Sequence, residues 1–274
     1  MKIKPSNSNN IYIQYLDFMP MDEISIIEYK EVDLSSSMLV VAFPTVGLVS
    51  SIAGRFIIDS LNLDEIGTIA SKNFMPATVI HKAFPSPPVR IYSGKKICGP
   101  DGSCEQIATI ISEFMPPMDT IKLLGDSILE WSEKKGCQTI VALEGTHALG
   151  DAKKKLQVYG VASNPEMKKV LKKYKISETK EGMITGVTGV LLYQGALMKR
   201  NVICLLAEAH ASYPDSRAAG NLLEILDVML PGIKIDPKPL YDEAKEIEKS
   251  IRKFLEQSKP TAPSMPPIPS SMYG

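Results

Sequence analysis

The stretch Met38–Leu61, MLVVAFPTVGLVSSIAGRFIIDSL, decides the fold. Met38–Phe43 is continuously apolar and rich in valine, the pattern of a strand covered on both faces. Pro44-Thr45 breaks the run, and Val46 to Leu61 reads as a helix opened by Gly47. A doubly buried strand leading straight into a helix is the start of an α/β unit.

Working outward, the same alternation recurs. Before this stretch lie a polar Ser/Asn patch and two short β-like runs, Ile11–Leu16 and Ile24–Tyr29. After it, Ile66–Ser71 and Thr78–Lys82 read as strands, followed by the breaker Pro85-Ser86-Pro87-Pro88. Val89–Ile97 and Ile107–Ile111 are further strands. Asp119 to Lys135 reads as a helix with Asp119 as cap and Gly136 as stop. Thr139–Leu143 is a buried strand and Leu156–Ala162 a shorter one. Pro165 starts a helix capped by Asn164. Gly182–Gly189 reads as a loop before a helix from Val190 to Lys199. Val202–Ala207 is the last strong strand and Ser216–Leu230 the last core helix. The expectation is a three-layer α/β/α sandwich over residues 38–235, preceded by an extension with short strands over 1–37.

Two segments follow that domain. In the charged helix at 236–257, Leu240, Ala244, Ile247, Ile251 and Phe254 form a narrow heptad stripe, suited to the same domain or to a neighbouring subunit. Residues 258–274 are proline-rich and read as an extended, flexible tail.

Composition excludes classes without choosing one. The 274 residues carry 31 basic and 31 acidic side chains, which disfavours an overall basic nucleic-acid binder. The lysine-rich stretch at 153–175 lacks the interleaved aromatics of a nucleic-acid surface, and it reads as a solvated face with Met167, Val170, Leu171 and Tyr174 turned inward. No stretch has the length and apolarity of a membrane span. Four cysteines are too few for a disulfide scaffold, so reduced thiols in a cytosol are expected. A local bridge between Cys98 and Cys104 across Gly99-Pro100-Asp101-Gly102 is the alternative.

Two strand ends gather chemistry-bearing residues. Strand 139–143 runs into Glu144-Gly145-Thr146-His147 and strand 202–207 into Glu208-Ala209-His210. Residues past the carboxyl ends of parallel strands line the usual ligand crevice, and Gly47 sits at the same kind of position. Glu144, His147, Glu208 and His210 there suit general acid–base work, which would make the chain a phosphorylase-like or hydrolytic enzyme. Against this, they lack a third metal ligand and a nucleophile elbow, and Phe43–Leu48 has neither G-x-G-x-x-G nor a P-loop lysine. Neither cofactor nor metal is expected.

The chain ends Met272-Tyr273-Gly274. This hydrophobic–tyrosine–any-residue ending is similar to the tail by which proteasome-binding complexes dock between α-subunits of the core particle. An apolar side chain and a ring fill a pocket while the terminal carboxylate meets a cationic partner. The body agrees. Met38–Leu61, Ile184–Gly195 (ITGVTGVLLYQG) and Leu205–Leu230 (LLAEAHASYPDSRAAGNLLEILDVML) resemble, in order, blocks of the proteasome assembly chaperone 2 family. The resemblance covers about 38–235, and the tail is most similar to that of archaeal members. It implies an α/β/α sandwich like that of nucleoside phosphorylases and a non-enzymatic, ATP-independent, cytoplasmic homo-oligomer. That oligomer would bind the α-ring of the proteasome core particle as an assembly chaperone or activator, through Met272, Tyr273 and Gly274.

Overall fold

A computed structural model of the chain describes residues 23–257 other than 82, 99–103 and 148–156. In chain order the strands are β1 (Ser25–Glu28), β2 (Met38–Ala42), β3 (Asp64–Ala70), β4 (Val79–His81), β5 (Phe84–Ser86), β6 (Val89–Ser93), β7 (Ile97–Cys98), β8 (Cys104–Glu105), β9 (Ile107–Ser112), β10 (Thr139–His147), β11 (Val158–Ala162), β12 (Ser177–Glu178) and β13 (Val202–Ala209). Nine of them make one sheet in the order β1-β3-β6-β9-β2-β10-β13-β11-β12. Its centre, β9-β2-β10-β13, is parallel. The flanks β1-β3-β6 join β9 antiparallel, and β11 runs antiparallel to β13. β4 and β5 form a separate hairpin, as do β7 and β8.

Helices cover both faces, because the central strands are apolar on both. On one side α1 (Val49–Ser60), α3 (Pro165–Lys173) and α5 (Ser216–Met229) pack on Val40, Ala42, Val141, Leu143, Ile203 and Leu205. On the other, α2 (Ile121–Lys134) and α4 (Gly186–Leu197) pack on Leu39, Val41, Ile140, Ala142, Val202 and Cys204. Leu39, Val40 and Val41 are all buried, and each contributes about 1.5–3 kcal/mol. A guanidinium lies within the core. Arg90 is fully buried and pairs with Glu113, which also accepts from Arg55 Nη2 at 2.7 Å.

The last described helix, α6 (Lys238–Gln257), docks on α5 of its own chain. Leu240 and Ala244 of the heptad stripe are buried there, while the side chains of Ile251 and Phe254 lie outside those described. Tyr241 donates its hydroxyl to Glu224 at 2.7 Å, and its ring lies so close to Gly220 that a Cβ there would sit 2.6 Å away.

Several boundaries differ from those read in the sequence. The strand expected to stop at Leu143 continues to His147, and that expected to stop at Ala207 continues to Ala209. The helix expected from Val190 begins at Gly186, since packing on α2 outweighs the low propensity of Gly186 and Gly189. The 46–61 helix opens as a short 3-10 turn in which both Gly47 and Leu48 have positive φ (63° and 52°). Val89–Ile97 is interrupted after Ser93, and the expected breaker at 85–88 has its first two residues in β5. Thr120, not Asp119, precedes α2. Thiols are not all reduced: Cys98 is disulfide-bonded, whereas Cys137 and Cys204 are free. The Ile11–Leu16 run and the 258–274 tail lie outside the described residues.

The Asn164 cap is present. Its Oδ1 accepts the Met167 N–H at 2.9 Å and its Nδ2 donates to Asn201 Oδ1 at 2.9 Å. Asn164→Ala should therefore cost about 1–2 kcal/mol, read as a lower urea midpoint at unchanged slope. An unchanged midpoint would remove the cap from the account.

Candidate functional site

β10 and β13 lie side by side, with Thr146 opposite Glu208 and His147 opposite Ala209. The residues singled out from the sequence therefore do sit at one edge of the sheet. Because the strands run on past the expected ends, however, pleating decides where the side chains go. Val141 and Leu143 face the α1/α5 core, so Glu144 faces the α2/α4 layer and His147 the α1/α5 side. By the same alternation along β13, Glu208 belongs to the α2/α4 side. The two carboxylates thus lie on one face and His147 on the other, while His210 lies past the end of β13. A single four-membered acid–base cluster is not formed.

Each residue has its own surroundings. Glu144 is half-buried on the α2/α4 face, and burial raises its pKa to about 7, opposed by a hydrogen bond from Thr188 on α4. Glu208 is buried and grips the backbone of Gln157: its Oε2 accepts the Gln157 N–H at 3.0 Å, and its own N–H donates to the Gln157 carbonyl at 2.9 Å. His147 is exposed at the end of β10. Among the described residues no cluster of three or more His, Cys, Asp or Glu is placed to hold a metal ion.

The best-ordered chemistry is at His210. Its Nδ1–H donates to Asp215 Oδ2 at 2.8 Å, and its backbone N–H donates to the same oxygen at 2.9 Å. Asp215 Oδ1 accepts the Ala218 N–H at 2.9 Å as N-cap of α5, and the Asp215 N–H donates to the Gly47 carbonyl at 2.8 Å. Asp215 is buried, while the imidazole is half-exposed and stacked on Tyr213 with ring centroids 5.1 Å apart. Gly47 is pressed against this turn, so that a Cβ would lie 2.8 Å from the His210 carbonyl. The sequence reading missed Asp215 as the partner of His210. The signal was the Asp-Ser cap pattern before α5, four residues beyond the histidine's neighbour Ala211.

Between the 45–48 turn and Ala211–Pro214 lies an open depression of about 410 Å³. Thr45 ties this turn to the sheet, its Oγ1 accepting the Gly145 N–H at 3.0 Å. An oriented imidazole beside an apolar depression can bind or exchange a proton. It has no companion nucleophile among the hydrogen bonds described for it. Met272, Tyr273 and Gly274 lie outside the described residues, and so do Lys153–Lys155. On α3, Met167 and Leu171 are buried beneath the exposed lysines at 168, 169, 172 and 173. No helix among the described residues is long and apolar enough to cross a membrane.

Comparison with known proteins bears on the whole domain. An uncharacterized protein of Methanocaldococcus jannaschii is 31% identical over 237 residues, which is 86% of this chain and 93% of that one. Among solved structures, PbaA of Pyrococcus furiosus, described as an archaeal homolog of proteasome-assembly chaperone, superposes with a TM-score of 0.75 at 28% identity. The match covers 86% of this chain and 93% of that one. PbaB of Pyrococcus furiosus, described as an archaeal proteasome activator, has the same fold at a TM-score of 0.74 and 22% identity, over 85% and 99% of the two chains. The PAC2 family model matches residues 39–255, from β2 through nearly all of α6, and the chain belongs to the PAC2 family.

Proposed function

We propose that this chain is an ATP-independent proteasome-binding protein of the assembly-chaperone type, and that it works as a homo-oligomer in the cytoplasm. Its likeness over nearly the whole domain to PbaA carries the reading. Met272 and Tyr273 enter a pocket between α-subunits of the core particle, and the Gly274 carboxylate is the ionic anchor. Residues 258–271 supply reach: at about 3.1 Å per residue an extended segment of that length spans on the order of 40 Å. Several copies in one oligomer engage several pockets, so weak individual tails add up through avidity. The separation of His147 from Glu144 and Glu208 across the sheet, with His210 turned to Asp215 past the strand end, favours this binding role over the enzymatic one.

The test is binding of the full chain and of a Met272–Gly274 deletion to purified core particle from the same organism. The deletion is expected to weaken binding by at least about tenfold. Equal binding would overturn the tail mechanism, and absence of binding by either protein would overturn the function.

A further inference from the structure

Resting on that reading, we infer that the folded domain itself contributes a second contact surface to the same partner, at the carboxyl edge of the parallel strands. The first observation is the direction of α6. Ile235 donates its N–H to Asp227 at 2.6 Å, Tyr241 reaches Asn221 and Glu224, and Glu243 accepts from Ser216 at 3.2 Å. The helix therefore runs antiparallel to α5, toward the end where α5 begins. That end adjoins the carboxyl end of β13, because Asp215, the cap of α5, holds His210 directly after the strand. From Glu243 to Gln257 the helix continues for about 21 Å. Gln257, the last described residue of α6, thus lies beyond the carboxyl edge, 17 positions before Gly274 in the sequence. A partner holding the tail faces that edge.

The second observation is what the edge displays. Met115 and Met118 lie in the connection from β9 to α2, and Met183 lies just before α4. Met118 is 88% exposed, Met183 86%, Met115 53%, and Leu48 in the turn after β2 45%. The two connections meet: a Cβ on Gly186 would lie 3.9 Å from Met115 Cε. Neither Phe43–Leu48 nor Phe114–Met118 contains a charged residue. Charge-poor surface enriched in methionine marks the centre of protein interfaces, and flexible thioethers adapt to a surface of irregular shape. Both signs point to a protein partner, and the geometry of α6 makes it the tail's own partner.

The edge then supplies contact area while the tail supplies anchorage, and the two act on one binding event. To test this, the full chain and Met118→Asp/Met183→Asp are compared for affinity to the core particle, with thermal midpoint and solution mass measured in parallel. The expected result is affinity weakened by about tenfold with midpoint and mass unchanged. Met118→Gln/Met183→Gln serves if the aspartates disturb folding, with a smaller loss in the same direction. Wild-type affinity in a folded variant overturns the edge and leaves the tail reading standing. Loss of binding accompanied by a lower solution mass also overturns it, since the methionines would then join copies of this chain. If the wild-type chain does not bind the core particle, both readings fall.

Discussion

Gly145→Ala is expected to lower the unfolding free energy by about 4 kcal/mol, and Gly145→Val to prevent accumulation of folded protein. Gly145 lies in β10, where its missing side chain is occupied by another part of the chain. A Cβ there would be 2.1 Å from the Val46 carbonyl oxygen and 3.1 Å from Val49 Cγ2. The first of these is backbone, which cannot rotate away. The turn carrying Gly47 and Leu48 would have to rise off the sheet, losing the Gly145–Thr45 hydrogen bond and the seat of α1. For a chain of this length the alanine variant should melt about 10 °C lower. Gly94→Ala is the control, because the one close approach of a Cβ there is to the far end of Leu63, a movable side chain, and Ile107 stays at ordinary contact distance. Its cost should stay within about 1 kcal/mol. Equal melting of both variants would show that the turn is not seated on Gly145.

That contact also marks how far the sequence can be read. The doubly buried strand at 38–43 was legible because burial on both faces leaves an uninterrupted apolar run, and Leu39 and Val40 indeed serve opposite cores. The Asn164-Pro165 helix start was legible because cap and proline act within three residues. Gly145 touches Val46 across about a hundred positions, and no local pattern announces such an approach. The same limit affected the site. Glu144 and His147 were read as lying beyond a strand end, where side chains are free to converge. Two further turns of pleat place them on opposite faces instead. Arg90 gave no signal at all: within the strand VRIYS it looks like an outward residue, and only the fold shows that it is buried against Glu113. His210 is legible as a candidate, but its orientation by Asp215 depends on the turn at 211–215, which no periodic pattern announces.

Glu144→Gln is expected to stabilise the protein by about 3 kcal/mol at pH 8 and to have little effect near pH 4. Burial raises the Glu144 pKa from 4.5 to about 7, while the Thr188 hydroxyl partly offsets that shift by favouring the carboxylate. Below pH 4.5 the group is protonated in both folded and unfolded chains and costs nothing. Between 4.5 and 7 the unfolded chain releases the proton and the folded one retains it, so wild-type stability falls as pH rises. Above 7 both are ionised and the penalty is constant. The interval corresponds to about 3 kcal/mol at 1.36 kcal/mol per pH unit. Glutamine keeps the shape and an acceptor for Thr188 but has no proton to lose, so its stability lacks this slope. Urea midpoints at pH 5, 6, 7 and 8 should show the gap between the two proteins widening up to 7 and level thereafter. A gap independent of pH would mean that Glu144 ionises normally, with its carboxylate reaching water rather than resting against α4. The same experiment bears on function. A carboxyl group whose pKa is raised to about 7 by burial on the α2/α4 face stabilises that layer best as a neutral hydrogen-bonding group. If its removal strengthens the fold without weakening binding to the core particle, Glu144 belongs to the domain's interior and not to its working surface.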